Sequence, residues 1–444
     1  MRVAVVGGGL AGIAAALECA DAGAEVTLLE ARPRLGGATF SIRRDGIWMD
    51  NGQHVFLRCC TAYRSFLDRI GATGKTELQD RLSIPIVAPG GRIAWLRRAG
   101  LPAPLHLFPS LSRFAFLSTR DRLRIARAVR PLSKLDLADP QLDRRTFGSW
   151  LRDHGQSQAT VDVLWNLIVL PTVNLPAAEA SLQLAAKVFQ TGLLASADAG
   201  DIGYAAVPLQ ELHGEAGADA LERAGVDVRV RTRVERIEPR SGGLAVAFDG
   251  DGADVDAVVV TVPHDEAAAL LPDGALPYAD ELGYLGVSPI VNLHVVYDRR
   301  VTDLPFAAGH ETPVQWVFDR SRGAGLERGQ YLAVSLSCAR EYIGQKVEEL
   351  RAQFVPALEQ LFPEAAAARV ELFFVTREQR ATFRQGPGTA ALRPPARTGV
   401  DGLYLAGAWT DTGWPATMEG AVRSGVAAAR EAVGSRAPAL EEAA

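Results

Sequence analysis

The sequence predicts an α/β fold in which a parallel-sheet domain is interleaved with a second, α+β domain. The chain opens with a β-branched run (2–6), a glycine-rich turn, an apolar alanine-rich stretch and a second strand-like run (25–30), which indicates a strand–helix–strand unit. Similar buried-strand runs return much later, at 256–262 and 404–406. A length of 444 residues exceeds a single core and suits two or three domains. We therefore expect the parallel sheet to draw its strands from distant parts of the chain.

The opening unit carries a Rossmann-type dinucleotide-binding motif. Gly7, Gly9 and Gly12 fit the pattern G-x-G-x-x-G, and Leu10 and Ala11 begin the predicted helix. Gly7 permits a tight turn, Gly9 lacks the Cβ that would block a pyrophosphate, and Gly12 allows close helix–strand packing. The helix N-terminus offers free N–H groups to the phosphates. This order of elements predicts dinucleotide binding.

An acid and a double glycine follow the second strand. The carboxylate of Glu30 can accept both hydroxyls of an adenosine ribose. Shortly after it come Arg32 and the pair Gly36-Gly37. An arginine can clamp a phosphate, and glycines bring backbone N–H groups close to it. The segment thus predicts a phosphate-lined binding site; a surface turn carrying two arginines is the alternative interpretation.

This segment resembles the double-glycine signature of flavoproteins of the amine oxidase and phytoene desaturase superfamily. The resemblance implies that the dinucleotide is FAD and that Glu30 holds its adenosine ribose. It implies that FAD is lined here by Glu30, Ala31, Arg32, Gly36, Gly37 and Ala38.

Composition excludes several function classes. The net charge of −5 argues against nucleic-acid binding, and no apolar run is long enough to span a membrane. The first predicted strand begins at residue 2, so we expect no signal peptide. Cys19, Cys59, Cys60 and Cys338 form no C-x-x-C pair. We expect reduced thiols, a cytoplasmic location and no metal site.

Two further stretches resemble flavin-contacting parts of this superfamily. In 45–57, Gly52 allows the backbone to approach a flat ring, and Gln53 and His54 lie beside it. His54 donates a proton to the substrate in one interpretation and only packs at the ring edge in the other. Val234 matches the strand valine that lies by the adenine.

The closing segment, 403–425, completes the resemblance. Gly407 is expected to turn toward the flavin, followed by Asp411, Thr417 and Met418. Residues 419–421 open the last predicted helix, whose N-terminal dipole would stabilise reduced flavin. Many relatives carry an acid directly after the glycine to hold the ribitol, whereas this chain has Ala408. Asp411 or a backbone group is expected to take that place.

The stretch 101–134 has an unusual charge pattern. From residue 92 to 134 there are nine arginines and one lysine against a single aspartate, in a chain that is acidic overall. Leucines and phenylalanines alternate with these cations. A basic amphipathic segment with aromatic residues is typical of contact with an anionic membrane surface. An ordinary arginine-covered helix pair is the alternative.

The predicted domains are discontinuous. We expect a cofactor domain at 1–57, 203–263 and 394–434, a substrate domain at 58–202 and 264–393, and a disordered tail at 435–444. The apolar stretch 164–185, interrupted by two prolines, lines a hydrophobic substrate pocket in one interpretation and belongs to plain core in the other.

The segments 50–54, 314–318 and 412–421 are similar to the squalene-associated FAD-dependent desaturase and hydroxysqualene dehydroxylase family of hopanoid biosynthesis. The resemblance implies a long isoprenoid substrate and an electron donor that the sequence does not identify. The basic stretch 101–134 predicts a peripheral location on the inner face of the membrane. It implies loss of water from an allylic alcohol and hydride delivery from reduced flavin, with Asp411, His54 or a water relay as the acid. A carotenoid-type desaturase, a flavin amine oxidase and a non-catalytic FAD-bound lipid-binding protein are the alternatives.

Overall fold

The computed structural model describes residues 1–434, so the predicted tail at 435–444 lies outside the described residues. In this range the strands are β1 (Arg2–Val6), β2 (Glu25–Glu30), β3 (Ser41–Arg44), β4 (Ile47–Asp50), β5 (Val55–Leu57), β6 (Thr76–Leu78), β7 (Ser83–Ala88), β8 (Arg92–Arg97), β9 (Ile202–Ala205), β10 (Asp227–Val230), β11 (Val234–Arg240), β12 (Gly243–Phe248), β13 (Asp251–Val255), β14 (Ala257–Val260), β15 (Ser288–Tyr297), β16 (Phe306–Gly309), β17 (Trp316–Asp319), β18 (Gln330–Leu336), β19 (Val370–Thr382) and β20 (Leu403–Leu405). The α-helices are α1 (Leu10–Asp21), α2 (Thr61–Arg69), α3 (Phe108–Leu111), α4 (Thr119–Ser133), α5 (Phe147–Asp153), α6 (Gln158–Thr160), α7 (Asn166–Val173), α8 (Leu182–Phe189), α9 (Ala216–Arg223), α10 (His264–Leu270), α11 (Val347–Leu361) and α12 (Met418–Val433).

A five-stranded parallel sheet forms one core of the molecule, in the order β10-β2-β1-β14-β20. The prediction that this sheet assembles from distant parts of the chain is confirmed, because β1 pairs directly with β14 and β14 with β20. The apolar helix α1 packs on the sheet and against α12. A Cβ on Gly425 would come 2.1 Å from the carbonyl oxygen of Ala11, so the two helices approach closely at a glycine.

A second, seven-stranded sheet has the order β19-β15-β18-β17-β16-β7-β8. Its neighbours are antiparallel except for β16 and β7. Smaller sheets are β3-β4, β5-β9-β6 and β11-β12-β13. The stretch 164–185 contributes Trp165, Val169 and Leu182 to an apolar cluster that also contains Phe306 and Phe318 of the large sheet.

The helical segment that precedes β10 changes type along its length. Residues Gln210–Glu215 form a π-helical turn, and only Ala216–Arg223 is regular α-helix. Such turns insert one extra residue into a helix and are common at functional sites. The sequence carries no periodicity that distinguishes this turn from an ordinary helix.

The basic stretch 101–134 forms a loop, the short helix α3 and the amphipathic helix α4. It holds four strongly exposed apolar side chains, Leu101, Leu105, Phe108 and Leu123. Within residues 1–434, no helix has both the length and the apolar content needed to cross a membrane.

A buried ion pair joins the β3–β4 hairpin to the large sheet. Arg320, just after β17, donates to Oδ2 of Asp50 at 2.9 Å, and both side chains are less than a tenth exposed. The other carboxylate oxygen of Asp50 accepts from the Ser41 hydroxyl and the Leu209 N–H. Arg320 also donates to the carbonyl oxygens of Ala205 and Val207. The pair therefore holds three separate segments together beside residues 51–54.

We expect Asp50→Asn to lower the free energy of unfolding by about 3 kcal/mol or more, because it leaves the Arg320 charge buried without a carboxylate. Asp45→Asn is the matched control: in the same hairpin Asp45 forms an exposed ion pair with Arg44 at 3.6 Å, and its loss should change the free energy by less than about 1 kcal/mol. Urea unfolding of both variants measures the difference, and equal free energies would contradict this role of Asp50.

Candidate functional site

The backbone N–H groups at the N-terminus of α1 have no side-chain cap. The N-cap residue Gly9 makes no side-chain hydrogen bond, and the first turn contains no acidic residue. A Cβ on Gly12 would lie 1.9 Å from the carbonyl oxygen of Gly7, so only glycine allows the helix to begin this close to β1. An uncapped helix N-terminus that is free of acids is suited to a phosphate.

The double-glycine loop lies directly against this helix start. A Cβ on Gly37 would come 2.7 Å from the Cα of Gly9, and Gly37 has a positive φ of 56°. Apart from its own helix and its chain neighbours, the only atom of residues 1–434 within 4 Å of a Cβ on Gly9 is the Cα of Gly37. The two glycine backbones therefore form one side of an open cradle at the helix N-terminus.

Glu30 ends β2 at the edge of this cradle. Its carboxylate is buried and accepts hydrogen bonds from the N–H groups of Gly8 at 2.6 Å and Arg32 at 2.7 Å. The carbonyl oxygen of Glu30 accepts from Thr232, two residues before the buried Val234. Each carboxylate oxygen retains a lone pair with which it can accept a ribose hydroxyl.

The segment that contains Gly52 is held by a network on its neighbour, Asn51. The Asn51 amide accepts from the Phe40 N–H and donates to the carbonyl oxygen of Ala38, which ties it to the double-glycine loop. The main-chain carbonyl oxygen of Asn51 accepts hydrogen bonds from the side-chain amide of Asn292 in β15 and from the hydroxyl of Thr376 in β19. These bonds bring the loop, the hairpin and the large sheet together at Gly52.

His54 is partly buried beside this segment. Burial lowers the pKa of its imidazole to about 4, with Asp50 opposing the shift, so the side chain is neutral near pH 7. A small cavity beside it is lined by Gln53, Val55, Tyr204 and Phe318, among others. The aromatic rings of Tyr204, Phe306, Trp316 and Phe318 form a contiguous cluster on this side.

Gly407 and Asp411 lie in a loop that a buried arginine organises. Arg393 donates to the carbonyl oxygens of Thr410 and Trp414, the latter at 2.9 Å. Burial lowers the pKa of Arg393 to about 10. The side chain of Asp411 is exposed and accepts from the Gly413 N–H at 3.2 Å. The structure brings Asp411 and His54 into no direct contact, and the role of each stays a prediction.

The start of α12 uses its polar side chains for structure. Thr417 is the N-cap, and its hydroxyl accepts from the Gly420 N–H. Glu419 is buried and accepts from the Ala62 and Tyr63 N–H groups at the start of α2, as well as from Arg423. Its carboxylate thus caps α2.

FAD fits the residues of this site. Four buried side-chain atoms on the segments that pack around Gly52 and against the double-glycine loop have no hydrogen-bond partner within the described residues. They are Nε2 of Gln53, Oε1 of Gln210, Nδ1 of His213 and Oδ1 of Asn292. Buried polar atoms are normally paired, so a polar ligand is expected here. Together with the uncapped helix and the glycine cradle, they form a site for a large dinucleotide.

Sequence reasoning missed several residues of this site. Asn51 and Asn292 join segments that are far apart in the chain, and Arg393 bonds to main-chain carbonyl oxygens of the loop that follows it. Neither Arg393 nor Asn292 belongs to a short motif. His213 is hidden in the π-helical turn. The one available signal was the position of Asn51 directly before Gly52.

Comparison with known proteins identifies the family to which this site belongs. Residues 10–433 match the family described as flavin-containing amine oxidoreductase. The chain is 26% identical to a zeta-carotene desaturase of Synechocystis sp. over 98% of both chains. It is 30% identical to a hydroxysqualene dehydroxylase of Rhodopseudomonas palustris, covering 96% of this chain and 97% of that one.

Solved structures share the fold. A double mutant of putrescine oxidase matches with a TM-score of 0.74 at 20% identity, covering 98% of this chain and all of that one. Cyclohexylamine oxidase of Brevibacterium oxydans matches with a TM-score of 0.72 at 19% identity, covering 98% of both chains. The predicted fold class, amine oxidase-like α/β, is confirmed by these matches.

We expect the purified protein to be yellow with non-covalent FAD, and Gly9→Val to abolish FAD binding by filling the cradle. Gly74→Val is the control, because a Cβ on Gly74 would have no atom of the described residues within 4 Å other than those of its chain neighbours. Flavin absorbance after gel filtration, and flavin released by acid precipitation, measure the bound cofactor. Retention of FAD by Gly9→Val would show that the cofactor lies elsewhere.

Proposed function

This chain belongs to the family of flavin-containing amine oxidoreductases and is an FAD-dependent oxidoreductase, and we propose that it reduces hydroxysqualene to squalene. The observation that carries the proposal is the 30% identity to a hydroxysqualene dehydroxylase. That alignment is 438 residues long and covers 96% of this chain, whereas the alignment with zeta-carotene desaturase is 485 residues long for 98% and contains more insertions. The dehydroxylase therefore matches this chain with fewer gaps.

An apolar substrate suits the surroundings of the site. The aromatic cluster of Tyr204, Phe306, Trp316 and Phe318 continues into the apolar cluster that includes Trp165 and Leu182. We propose that the seven-stranded sheet and its helices hold the isoprenoid chain, and that the parallel sheet holds FAD. We propose a matching division into domains, with boundaries near residues 57, 202, 263 and 393.

The proposed reaction replaces a C–OH bond by a C–H bond. A proton converts the allylic hydroxyl to water, which leaves, and a hydride completes the new bond. FAD, once reduced, supplies the hydride. The protein excludes water, places the reacting carbon and provides the proton. Asp411 is the proposed proton donor, because its exposed carboxyl group can relay a proton from solvent, whereas burial keeps the His54 imidazole neutral near pH 7 and we assign His54 to packing.

We expect chemically reduced enzyme to convert hydroxysqualene to squalene under anaerobic conditions, and oxidised enzyme to leave it unchanged. Reduction in deuterated solvent should place deuterium at the carbon that lost oxygen and nowhere else. Mass spectrometry of the product checks this, and unlabelled squalene would exclude flavin N5 as the hydride source. Desaturated products from oxidised enzyme would favour the carotenoid-type alternative.

Substitution of the two candidate acids tests the proton donor. We expect Asp411→Asn to slow product formation by ~10²–10⁴-fold with FAD still bound, and His54→Ala to have a smaller effect. Full rate in both variants would assign the proton to water or to another residue.

We also propose that 101–134 docks on an anionic membrane surface. Leu105 and Phe108 are 56% and 60% exposed. The exposed residues Arg120, Arg127 and Arg130 form no ion pair within residues 1–434. By contrast, Arg122 donates to the carbonyl oxygens of Ser112 and Phe114, and Arg124 pairs with Asp121, so these two arginines stabilise the segment itself.

We expect the variant Leu105→Ser/Phe108→Ser, and separately Arg120→Gln/Arg127→Gln/Arg130→Gln, to reduce pelleting with vesicles that contain phosphatidylglycerol. High salt should weaken binding of the wild type. Tyr284→Ser is the control, because Tyr284 is 77% exposed but lies outside this stretch. Equal pelleting of all variants would refute docking through 101–134.

A further inference from the structure

The double-glycine loop turns sharply beside the start of α1. Gly36 and Gly37 have positive φ angles of 102° and 56°, which glycine adopts without strain. The N–H group of Gly36 donates to the carbonyl oxygen of Gly8 at 2.9 Å, and a Cβ on Gly37 would lie 3.5 Å from the N atom of Gly9. The two backbones are therefore fixed side by side. A peptide group flanked by glycine still rotates easily, so this proximity leaves the direction of its N–H group undetermined.

Three side chains hold successive carbonyl oxygens of this loop. The hydroxyl of Thr39 donates to the carbonyl oxygen of Gly36 at 2.8 Å, and Nη1 of Arg34 donates to that of Gly37 at 3.3 Å. The Asn51 amide donates to the next carbonyl oxygen along the loop, at 2.8 Å. Because the C=O and N–H groups of a trans peptide point in opposite directions, each held oxygen also fixes the N–H group of the following residue.

Two N–H groups of the loop are available to a ligand. Those of Gly37 and Ala38 donate to no group within residues 1–434, whereas the N–H groups of Gly36 and Thr39 on either side both bond to backbone carbonyl oxygens. Consecutive N–H groups in such a turn form a concave pair of donors that suits an anion. Since Gly37 lies against Gly9 at the cradle, this pair lies beside the uncapped start of α1.

A stacking contact holds the Arg34 side chain in place. Arg34 is half-buried, and its guanidinium lies over the ring of Phe40, with Cζ 3.6 Å from the ring centroid. A guanidinium is flat and rigid, so stacking on one face fixes the direction in which its edge donates. The bond to the carbonyl oxygen of Gly37 is therefore directional, which a flexible amine in the same place would not ensure.

We propose that Arg34 is a positioning residue for FAD: it fixes the peptide between Gly37 and Ala38, so that the N–H groups of these two residues stay free to bind an anionic phosphate oxygen of the cofactor. Thr39 fixes the preceding peptide through its hydroxyl and through its own N–H group, which donates to the carbonyl oxygen of Gly36 at 3.0 Å. The glycines thus provide the close approach, and the side chains provide the orientation. Because the inference concerns FAD alone, it does not depend on which isoprenoid is the substrate.

Binding of FAD and ADP to the apoprotein tests the assignment. ADP carries the pyrophosphate without the flavin. Arg34→Met keeps the length of the side chain but removes the donor, and both ligands should bind about 10- to 50-fold more weakly. Arg34→Lys keeps a donor without the flat stacking face and should recover part of that loss. Thr39→Val should weaken binding by about threefold or less, because the Thr39 N–H group still holds the same carbonyl oxygen.

Arg44→Met is the matched control. The Arg44 guanidinium also lies over an aromatic ring, that of Phe374 at 4.1 Å, but it belongs to the β3–β4 hairpin. We expect this variant to bind FAD and ADP as tightly as the wild type does.

Hydrogen exchange with residue resolution reports on the two N–H groups directly. In the wild-type apoprotein the amides of Gly37 and Ala38 should exchange rapidly, and saturating ADP should slow their exchange by about tenfold or more. Arg34→Met should lose this protection at Ala38 even when ADP is saturating. A role of Arg34 in stability alone would leave the protection by ADP unchanged.

Two outcomes of the binding measurements would overturn the assignment. Unchanged affinities in Arg34→Met, with a lower unfolding temperature of the apoprotein, would show a purely structural role. A difference between wild type and Arg34→Met that disappears at high salt would identify the guanidinium itself as the phosphate ligand. If Arg34→Met does not fold, exchange in the wild type decides, because amides of Gly37 and Ala38 that ADP does not protect would contradict the proposal.

Discussion

The contact between Gly9 and Gly37 is the constraint on which the site depends. At 2.7 Å from the Cα of Gly9, a Cβ on Gly37 would force apart the start of α1 and the double-glycine loop. The loop also carries the main-chain groups to which Asn51 bonds, so its position determines that of Gly52. The close approach of these two backbones thus determines the shape of the cradle and the position of the segment that contains Gly52.

Long-range polar contacts then join the remaining segments to this centre. The Asp50–Arg320 pair connects the hairpin to the large sheet, and Glu419 connects α12 to the N-terminus of α2. Arg393 holds the loop that contains Gly407 and Asp411 by donating hydrogen bonds to main-chain carbonyl oxygens of that loop. Each of these side chains is buried, so each replaces water as the partner of groups that would otherwise be unsatisfied. The site is therefore an assembly of distant segments, and its geometry depends on charges that lie outside the glycine motifs.

The local features of the fold could be predicted from the sequence because they rest on local rules. Strand runs such as 2–6 and the glycines at 7, 9 and 12 follow from side-chain sterics and spacing. The partners of Glu419 could not be predicted, since a bond across hundreds of residues leaves no periodic trace. Those of Arg393 could not be predicted because they are main-chain carbonyl oxygens, which no side-chain pattern marks. The π-helical turn at Gln210–Glu215 could not be predicted for a different reason. Its apolar spacing is close to that of an α-helix, so the extra residue is visible only in the hydrogen-bond pattern. For 101–134, the charge pattern was evident, but only the structure separates the exposed arginines from Arg122, which bonds to the main chain.

The buried imidazoles give the interior a consistent electrostatic character. Burial holds the pKa of His54 at about 4 and those of His213 and His294 at about 3, so all three are neutral near pH 7. His294 lies between the hydroxyls of Tyr331 and Thr376, and Thr376 in turn donates to Asn51 beside Gly52. A positive imidazole here would oppose positive charge that develops on a substrate carbon. In the proposed reaction the departure of water creates such a positive charge on an allylic carbon. Neutral histidines and nearby aromatic rings do not repel this charge. The same neutrality lowers the cost of bringing an apolar chain into the site, because no unpaired imidazolium has to lose its water.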